Sequence, residues 1–476
     1  MSNMGGLMEQ YNAILESFLE KVMNWVWGPP LLILIAGTGI YLTVLLRGMQ
    51  FRYLWYALKQ TVLPPQNSAE GDISQFQALM TSLAGAIGTG TIVGISTGIA
   101  IGGLGSIFWM WVTALFGMAT KYAESLLAVK YRQLDERGEM CGGPMQYIEK
   151  GVGWKWMAVL FAIFGALAAI GTGNLVQVNA IAEAIDNVWD VNPWITGLVL
   201  CVLAAFVVLG GVKSIGKVSG VLVPIMASFY LIAGLVVMVL NVEHLPAAFM
   251  LIVKSAFEGQ AAFGGFLGAT VMVGIQTGMA RSIFSNEAGL GIPSMAAAAA
   301  RTDCPGRQAM ITMTGALIST VIICSITGFV LALTGVQGQV DEAGKVLTGA
   351  TMAIAAFDSA VPGGQYIVSI GLILFAFSTV VAWAYYGEKC FEYLFGDRAV
   401  IVYRILFCLL IIPGAALKME VVWHIANILN AFMVIPNLIA LILLSGVIVA
   451  ETRVFLHQIE QEKGKSTRQK APALPE

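Results

Sequence analysis

The sequence predicts an all-α polytopic membrane protein with about eleven transmembrane helices. Of its 476 residues, 58% are hydrophobic and 11% are charged, and the mean hydropathy is +0.80. This composition is far too apolar for a soluble domain. Apolar windows of about 20 residues, the length that crosses a bilayer, recur along the whole chain. One of these windows, residues 75–105, is so rich in glycine that a continuous helix is not expected there.

The apolar windows begin at residue 27 and end at residue 449. They predict spans A 27–46, B 76–101, C 104–127, D 156–182, E 193–212, F 218–240, G 261–284, H 309–333, I 366–394, J 401–417 and K 421–449. Before span A, residues 8–26 repeat apolar side chains at helical spacing, which predicts a helix lying in the membrane interface. After Glu451 the tail is polar and is expected to be disordered.

Basic residues predict the orientation of the chain. Eleven spans place the two termini on opposite sides of the membrane. With the N-terminus outside, only Lys21, Lys254, Lys345 and Lys418 of the 26 lysines and arginines fall outside. The positive-inside rule therefore predicts a multi-pass protein of the inner (plasma) membrane, with the N-terminus outside and the C-terminus in the cytoplasm. The sequence has no basic patch that would indicate nucleic-acid binding.

The spans that follow span A form two groups of five. Because five is odd, the second group is inverted in the membrane relative to the first. This predicts an N-terminal interfacial helix with an extra transmembrane helix in 1–72, a first five-helix repeat in 73–242, a second, inverted five-helix repeat in 259–450, and a polar cytoplasmic tail in 451–476. Inverted repeats that begin with broken helices are typical of transporters whose site lies between the repeats.

Each repeat begins with a glycine-flanked polar stretch. Eight glycines fall between Gly85 and Gly105, with Gly-Thr-Gly-Thr at 88–91 in their centre. Span G offers Gly-Ile-Gln-Thr-Gly at 274–278 as the counterpart. Irregular backbone inside a membrane is tolerated where protein or a water-filled cavity satisfies its N–H and C=O groups. The two stretches therefore predict helix breaks that line a binding site for a small solute.

Charged residues are missing between Ile73 and Thr120, and the middles of spans D to K also lack them. We therefore expect no fixed counter-charge at the site, which favours a zwitterionic or neutral solute over a charged one. The N-terminal ends of half-helices could receive a carboxylate. Carbonyl and hydroxyl oxygens could coordinate sodium.

Four polar or aromatic positions within the spans have more than one interpretation. Ser378 and Thr379 would ordinarily bond back to their own helix. For Gln177, hydrogen bonding between helices and contact with a ligand are equally open. Trp383 alone would indicate core packing.

Enzyme motifs are not supported by their context. Gly-Ile-Ser-Thr-Gly at 94–98 matches the nucleophile elbow of serine hydrolases, but that elbow needs a strand-to-helix turn and a partner histidine. Here it lies within span B. No HExxH pattern or cysteine cluster indicates a metal centre, so we expect a protein that is not an enzyme.

Several longer motifs resemble the alanine or glycine:cation symporter family. They are Gly-Thr-Gly-Thr-Ile-Val-Gly at 88–94, Phe-Trp-Met-Trp at 108–111, Gly-Met-Ala-Thr-Lys-Tyr-Ala-Glu at 117–124, Asn-Leu-Val-Gln-Val-Asn at 174–179, Phe-Ser-Asn-Glu-Ala-Gly-Leu-Gly at 284–291 with alanines at 296–300, and Ser-Thr at 378–379 leading to Tyr-Tyr-Gly-Glu at 385–388. The resemblance covers residues 73–449. It implies a LeuT-like fold and sodium-coupled uptake of alanine, glycine or a similar small amino acid.

The resemblance also implies roles for individual residues. The substrate site would comprise Thr89 and Gly90, whose backbone amides would hold the substrate carboxylate, together with Thr91, Gln177, Thr277, Gly278 and Trp383. The transported, coupling sodium ion would bind the carbonyls of Ala84 and Ile87 and the hydroxyls of Ser378 and Thr379.

This chain departs from the family pattern at three places. The family usually has Asn at Thr91, a Ser-Ala-Pro-like run at 291–294 and Asp near Ser319, so the substrate and the stoichiometry stay open. Arg281 and Glu287 are candidates for a gate ion pair. The alternative, a basic membrane anchor beside a helix-end carboxylate, is slightly favoured.

These observations together predict a sodium-coupled symporter that imports alanine or glycine by alternating access through a lipid bilayer. A proton-coupled carrier or exchanger of the same fold is the alternative, which the missing carboxylates make less favourable. A non-transporting amino acid sensor is less favoured again, because the tail after Glu451 is short. The sequence leaves the oligomeric state open.

Overall fold

The computed structural model describes residues 15–62, 69–258, 271–340, 344, 346–417 and 420–470. The first half contains helices α1 (15–26), α2 (Pro29–Leu45), α3 (Met49–Arg52), α4 (Leu54–Thr61), α5 (Gln75–Ala86), α6 (Val93–Gly102), α7 (Gly105–Lys130), α8 (Pro144–Gln146), α9 (Lys155–Ala168), α10 (Val176–Trp189), α11 (Pro193–Val208), α12 (Gly211–Leu240) and α13 (Leu245–Glu258). Strands β1 (Gln133–Leu134) and β2 (Met140–Cys141) form an antiparallel hairpin between α7 and α8.

The second half is also mainly helical in its described residues. It contains α14 (Val271–Asn286), α15 (Ser294–Ala298), α16 (Pro305–Ala316), α17 (Ser325–Thr334), α18 (Gly349–Ala360), α19 (Gly364–Phe395), α20 (Val400–Ala416), α21 (Glu420–Leu443) and α22 (Ser445–Lys470). Two π-helical turns, Ala169–Leu175 and Leu317–Cys324, join α9 to α10 and α16 to α17 without a break in the span.

The described part of the chain has seven helices long and apolar enough to cross a bilayer, together with the shorter apolar helices α6 and α11. Predicted spans A to F and H to K correspond to helices of the structure. Span G corresponds to α14, with residues 261–270 lying outside the described residues. The all-α polytopic architecture is therefore confirmed, while the count of eleven spans and the repeat boundaries stay predictions.

The predicted break in span B is present. Helix α5 begins with a capping box in which Ser74 and Gln77 exchange side-chain to backbone hydrogen bonds, and it ends at Ala86. Extended Gly88 and a 3₁₀ turn at Thr89–Thr91 separate it from α6. We call residues 87–92 the first break.

The second break lies elsewhere than the sequence pattern indicated. Helix α14 runs without interruption through 274–278 to Asn286, and the chain leaves the helix at Glu287, whose φ is +58°. Gly289 and Gly291 also have positive φ, and α15 begins at Ser294. We call residues 287–293 the second break. The prediction of a break at 274–278 was wrong.

The glycines of 274–278 have a packing role instead. A Cβ on Gly278 would lie 2.4 Å from the Ser106 carbonyl oxygen, and a Cβ on Gly274 would lie 3.2 Å from the Gly102 carbonyl oxygen. Both glycines therefore let α14 approach α6 and α7 closely. Small residues at close helix contacts are common in membranes, and they leave the helix itself unbroken.

Helices α5, α7, α14 and α19 surround the two breaks. Helix α7 packs against α14 and α16, and α19 packs against α5, α9, α10 and α12. The extra helix α2 lies against α7 and α21. The two breaks therefore lie inside the bundle, with packed helices around them.

The C-terminal tail is not disordered through its described length. It continues as α22 to Lys470, and the Tyr122 hydroxyl lies 3.0 Å from the Thr452 hydroxyl. Lys130 at the end of α7 pairs with Glu451 at 2.6 Å. The prediction of disorder after Glu451 was wrong for residues 451–470, because contacts with α7 and α16 stabilise the helix.

The β-hairpin is tied to the C-terminal end of α19 by ion pairs. Asp135 lies 3.3 Å from Lys389, and Arg137 lies 2.8 Å from Glu392. Burial acts to raise the pKa of Asp135, but the backbone N–H of Glu139 and the charges of Lys389 and Arg137 outweigh it and hold the pKa below its usual value.

Candidate functional site

A small cavity lies between the two breaks. The first break, α10, α14, the second break, α19 and α21 all contribute to its walls, and its free volume is about 40 Å³. A cavity needs a volume of about 10–15 Å³ to hold one water molecule. This cavity therefore has room for only a few atoms of the size of a water oxygen. Its lining includes Thr89, Gly90, Gln177, Thr379 and Trp383.

Gln177 holds the backbone of the first break. The backbone N–H of Thr89 donates to its Oε1 at 3.1 Å, while its own Nε2 donates to the Thr172 carbonyl oxygen at 3.1 Å. The Gln177 side-chain amide on α10 therefore links the first break to the π-helical turn Ala169–Leu175. Gln177 is 4% exposed, so water does not compete appreciably for these bonds.

Two adjacent hydroxyls on α19 reach the end of α5. Thr379 Oγ1 donates to the Ala84 carbonyl oxygen at 2.9 Å, and Ser378 Oγ lies 3.3 Å from the same oxygen. Both hydroxyls also lie near the Phe375 carbonyl, as expected for Ser and Thr within a helix. Ile87, the fourth predicted sodium ligand, is buried and is the C-cap residue that follows α5.

The second break places a carboxylate on the cavity wall. Glu287 Oε1 accepts a hydrogen bond from Trp383 Nε1 at 2.8 Å, and Oε2 has no partner among the described residues. Glu287 is 2% exposed. The expectation of a site without fixed charge was wrong, because the helix breaks at residue 287 and carries this carboxylate into the cavity wall.

Two further ionisable groups support the second break from α7. Lys121 Nζ donates to the Asn286 carbonyl oxygen at 2.7 Å. Glu124 Oε1 accepts from the backbone N–H groups of Gly289 and Gly291, at 2.9 and 3.1 Å, and from Asn437 Nδ2 at 2.7 Å. A buried carboxylate thereby satisfies backbone donors that the break leaves free.

The structure brings most of the predicted site residues together. The cavity lining contains Thr89, Gly90, Gln177, Thr379, Trp383, Arg281 and Glu287. Ala84 and Ser378 lie directly behind it through their hydrogen bond. No ion pair joins Arg281 and Glu287 in the described part of the chain, so the predicted gate pair is not formed in this conformation.

Three predicted substrate residues lie away from the cavity lining. Thr91 turns its hydroxyl to the Gly88 carbonyl oxygen at 2.7 Å. Thr277 packs against Gly102 of α6, and Gly278 packs against α7. Thr277 and Gly278 were selected because the second break was predicted at 274–278, whereas it lies at 287–293.

Sequence reasoning missed the contribution of α21. Trp423, Asn427 and Asn430 of this helix line the cavity, and Asn430 Nδ2 donates to Thr172 Oγ1 at 3.0 Å. Asn430 Oδ1 is buried and has no partner among the described residues. The spacing of Asn427, Asn430 and Asn437 on one helix face was the available signal, since amides inside a span need partners.

Comparison with known proteins gives consistent results. The family model described as "Sodium:alanine symporter family" matches residues 12–470. The sodium/alanine symporter AgcS of Methanococcus maripaludis is 51% identical over 458 residues, which are 94% of this chain and 99% of that protein. The putative sodium/proton-dependent alanine carrier protein YrbD of Bacillus subtilis is 36% identical, with 90% of each chain covered.

The fold is shared with a solved transporter structure. The crystal structure of MhsT in complex with L-phenylalanine superposes with a TM-score of 0.58 at 14% identity, covering 81% of this chain and 93% of that one. At this identity the match shows the LeuT-like fold and nothing finer. With the family match across nearly the whole length, it follows that the chain is an integral membrane transporter, not an enzyme, and belongs to the sodium:alanine symporter family.

Proposed function

We propose that this protein is a sodium-coupled symporter that imports a small neutral amino acid, alanine or glycine. The small volume of the cavity, whose wall includes the aromatic rings of Trp383 and Phe284, supports this substrate class. The names of the relatives also support it: AgcS is a sodium/alanine symporter, and YrbD is a putative alanine carrier.

The observation that carries the proposal is the convergence of Ser378 and Thr379 on the Ala84 carbonyl oxygen. Two hydroxyl oxygens and a carbonyl oxygen at a helix end are hard, neutral ligands of the kind that sodium accepts. When sodium enters, the hydroxyl protons would turn away and the oxygens of Ala84, Ile87, Ser378 and Thr379 would coordinate the ion.

The first break would receive the substrate carboxylate. Its backbone N–H groups at Thr89 and Gly90 precede α6, whose N-terminal end carries a partial positive charge. In this structure the Thr89 N–H is occupied by Gln177 Oε1. Gln177 Oε1 would keep this N–H when the substrate binds, so Gln177 would hold the first break in position for the carboxylate.

Coupling would follow from the position of the proposed sodium site between α5 and α19. An ion that links the two helices stabilises the conformation in which they touch, and a ligand shifts an equilibrium only by its difference in affinity for the two states. With the N-terminus outside and the C-terminus in the cytoplasm of the inner membrane, as basic residues predict, the sodium gradient would drive substrate inward.

Proton coupling is the second candidate. Glu287 and Glu124 are buried carboxylates at the second break, each with an oxygen that has no partner among the described residues. Ionisable groups inside a membrane often mark proton pathways. The name of the relative YrbD, a putative sodium/proton-dependent alanine carrier, includes both sodium and protons.

Uptake into proteoliposomes would separate these candidates. Radiolabelled L-alanine uptake is measured with an inward sodium gradient, with an inward proton gradient in sodium-free buffer, and with no gradient. Accumulation only with sodium, lost in the Ser378→Ala/Thr379→Ala double variant, supports sodium coupling. Accumulation driven equally by protons in sodium-free buffer would contradict it and move the assignment to the second candidate.

A further inference from the structure

We propose that the Glu287 carboxylate receives the α-ammonium group of the transported amino acid. This inference rests on the proposed function, because it assigns one more contact to the same small-amino-acid substrate. Four features of the second break support it. They are the carboxylate oxygen without a partner, the position of that oxygen beside α5, the charged groups around Glu287, and the contacts that hold Glu287 in place.

The free oxygen belongs to a side chain that is otherwise fully engaged. Glu287 is 2% exposed, and its Oε1 accepts from the Trp383 indole. Its Oε2 is buried without a partner among the described residues. A buried carboxylate oxygen without a donor is costly, so a donor from outside the described chain is expected to complete it. Because Glu287 lines the cavity, that donor can belong to a cavity ligand.

Glu287 Oε2 lies beside Gly85 of α5, the helix that leads into the first break. A Cβ built on Gly85 would lie 3.2 Å from this oxygen and 3.2 Å from the Tyr386 hydroxyl. A side chain at position 85 would therefore crowd the carboxylate oxygen. A zwitterion whose carboxylate lies on the first break would thus have its ammonium end between the two breaks, on the side of Glu287.

The charged groups around Glu287 leave room for one more cation. From α7, Lys121 and Glu124 face the second break, but Lys121 donates to the Asn286 carbonyl oxygen instead of to the carboxylate. Arg281 of α14 lines the cavity, yet no ion pair to Glu287 is formed in the described part of the chain. From α19, the nearest ionisable group is the phenol of Tyr386.

Glu124 has three neutral donors, from Gly289, Gly291 and Asn437. Two carboxylates and one ammonium therefore lie around the second break, whereas the Arg281 side chain lies against α6 at Gly98. Burying charge without compensation is unfavourable. An ammonium group entering the cavity would balance this cluster, and it would bring three N–H donors to an oxygen that has none.

The Glu287 carboxylate is held in place before a ligand binds. The Trp383 indole fixes one oxygen, and the left-handed backbone of Glu287 is followed by Gly289 and Gly291, which Glu124 binds. Fixed polar groups favour the ligand whose charges match them. A ligand with the shape of alanine but a hydroxyl in place of the ammonium group, such as lactate, lacks that match.

Comparing alanine with lactate in two variants would test the assignment. The full-length protein in detergent is titrated with L-alanine and with L-lactate at saturating sodium, with displacement of labelled alanine as the readout. Wild type is expected to prefer alanine over lactate. In Glu287→Gln the alanine affinity falls roughly 10- to 100-fold, the loss for a hydrogen bond to a charged group, while the lactate affinity changes less than about threefold.

The matched control is Glu183→Gln, which makes the same change of charge at an exposed carboxylate of α10 that does not line the cavity. Its ratio of alanine to lactate affinity is expected to equal that of wild type. Thermal unfolding of both variants, followed in parallel, shows whether each is folded. If Glu287→Gln is unfolded, Glu287→Asp provides the same comparison with the charge kept and the oxygen displaced.

Other outcomes would overturn the inference. Equal loss of alanine and lactate affinity in Glu287→Gln would give Glu287 a structural role only. An unchanged ratio together with loss of ²²Na⁺ binding would make it a sodium ligand. An unchanged ratio with loss of the pH dependence of transport would make it a proton site. If wild type binds no alanine in sodium, the proposed function itself fails, and that result does not depend on any variant.

Discussion

The two breaks interrupt helices in the same bundle but are built from different groups. The first break, residues 87–92, contains only Ile, Gly and Thr, and neutral partners such as Gln177 and Thr379 hold it. The second break, residues 287–293, begins with a carboxylate and is held by the Glu124 carboxylate on α7. One side of the cavity therefore offers amides and hydroxyls, and the other offers negative charge.

This difference corresponds to the two ends of an amino acid. A neutral break with free N–H groups suits a carboxylate and, through its carbonyls, a sodium ion. A break with a carboxylate suits an ammonium group. The comparison also shows that glycine has two uses here, since glycines at the breaks change the chain direction while Gly274 and Gly278 only allow helices to approach.

The largest expected effect on stability is at the second break. Gly291 has a φ of +77°, and a Cβ there would lie 2.6 Å from Pro144 Cγ. Gly291→Ala combines left-handed strain with overpacking, so it is expected to destabilise the protein by about 2 to 5 kcal/mol. At Gly289, with φ +95°, an added Cβ would meet only Leu438 Cδ2 at an ordinary contact distance of 3.6 Å, so in Gly289→Ala strain alone applies. Similar unfolding temperatures for the two variants would contradict this account of the second break.

At the first break the expected effect is on function more than on folding. Gly88 has extended backbone angles, but a Cβ there would lie 2.4 Å from Thr379 Oγ1. Gly88→Ala would displace that hydroxyl and is expected to lower sodium-dependent alanine uptake by about 10- to 100-fold, the equivalent of about 1–3 kcal/mol of overpacking. Gly37→Ala, where no atom lies within 4 Å, is the control. Wild-type uptake by Gly88→Ala would show that Thr379 is not needed.

A smaller effect is expected from the support of the first break. Gln177→Ala removes the acceptor of the Thr89 N–H, and its loss is expected to weaken alanine binding about 5- to 10-fold, as for one neutral hydrogen bond of about 1 kcal/mol. Asn179→Ala on the same helix removes a bond to the Leu417 carbonyl oxygen, away from the cavity. Titration calorimetry in sodium buffer measures the alanine affinity of both variants. Unchanged affinity in Gln177→Ala would remove Gln177 from the site.

The smallest expected effect concerns charge far from both breaks. The pKa of Asp135 lies below its usual value despite burial, because of the Glu139 N–H and the Lys389 and Arg137 cations. Its carboxylate therefore adds stability above the unfolded-state pKa of about 3.9, and this stability is lost as pH falls through the lower folded-state pKa.

Asp135→Asn should therefore lower the unfolding temperature at pH 7 and flatten its fall below about pH 4, with alanine affinity unchanged. Glu183→Gln, at an exposed carboxylate of α10, is the control. The account of this ion cluster would be wrong if Asp135→Asn followed the wild-type curve. A change in alanine affinity would instead show that the charge of Asp135, which lies outside the breaks, affects substrate binding in the cavity.

The sequence was sufficient for the first break and for the hydroxyl pair. The glycines of Gly88 to Thr91 make a helix unfavourable in free energy whatever the rest of the chain does. The resemblance to a known family placed Ser378 and Thr379 beside Ala84. The second break could not be located in this way. Its backbone depends on Glu124, more than 160 positions earlier in the chain, and on a left-handed Glu287 that no local propensity favours.

The role of α21 was hidden for a similar reason. Asn430 faces the cavity because of how α21 packs against α9 and the π-helical turn Ala169–Leu175. The spacing of the asparagines on α21 marks a polar face, but it does not show which site that face meets. The tail after Glu451 was expected to be disordered from its composition, but contacts with α7 and α16 stabilise it as a helix. Tertiary contacts decided each of these cases.

The sodium dependence of alanine affinity tests the paired-hydroxyl site most directly. The dissociation constant of L-alanine is measured across a series of sodium concentrations at constant ionic strength, in wild type and in Ser378→Ala/Thr379→Val. Wild type is expected to bind alanine more tightly as sodium rises, with coupling of about 1–3 kcal/mol, and the double variant is expected to lose this dependence while keeping its sodium-free affinity. The same sodium dependence in the double variant would contradict a coupling ion at Ser378 and Thr379.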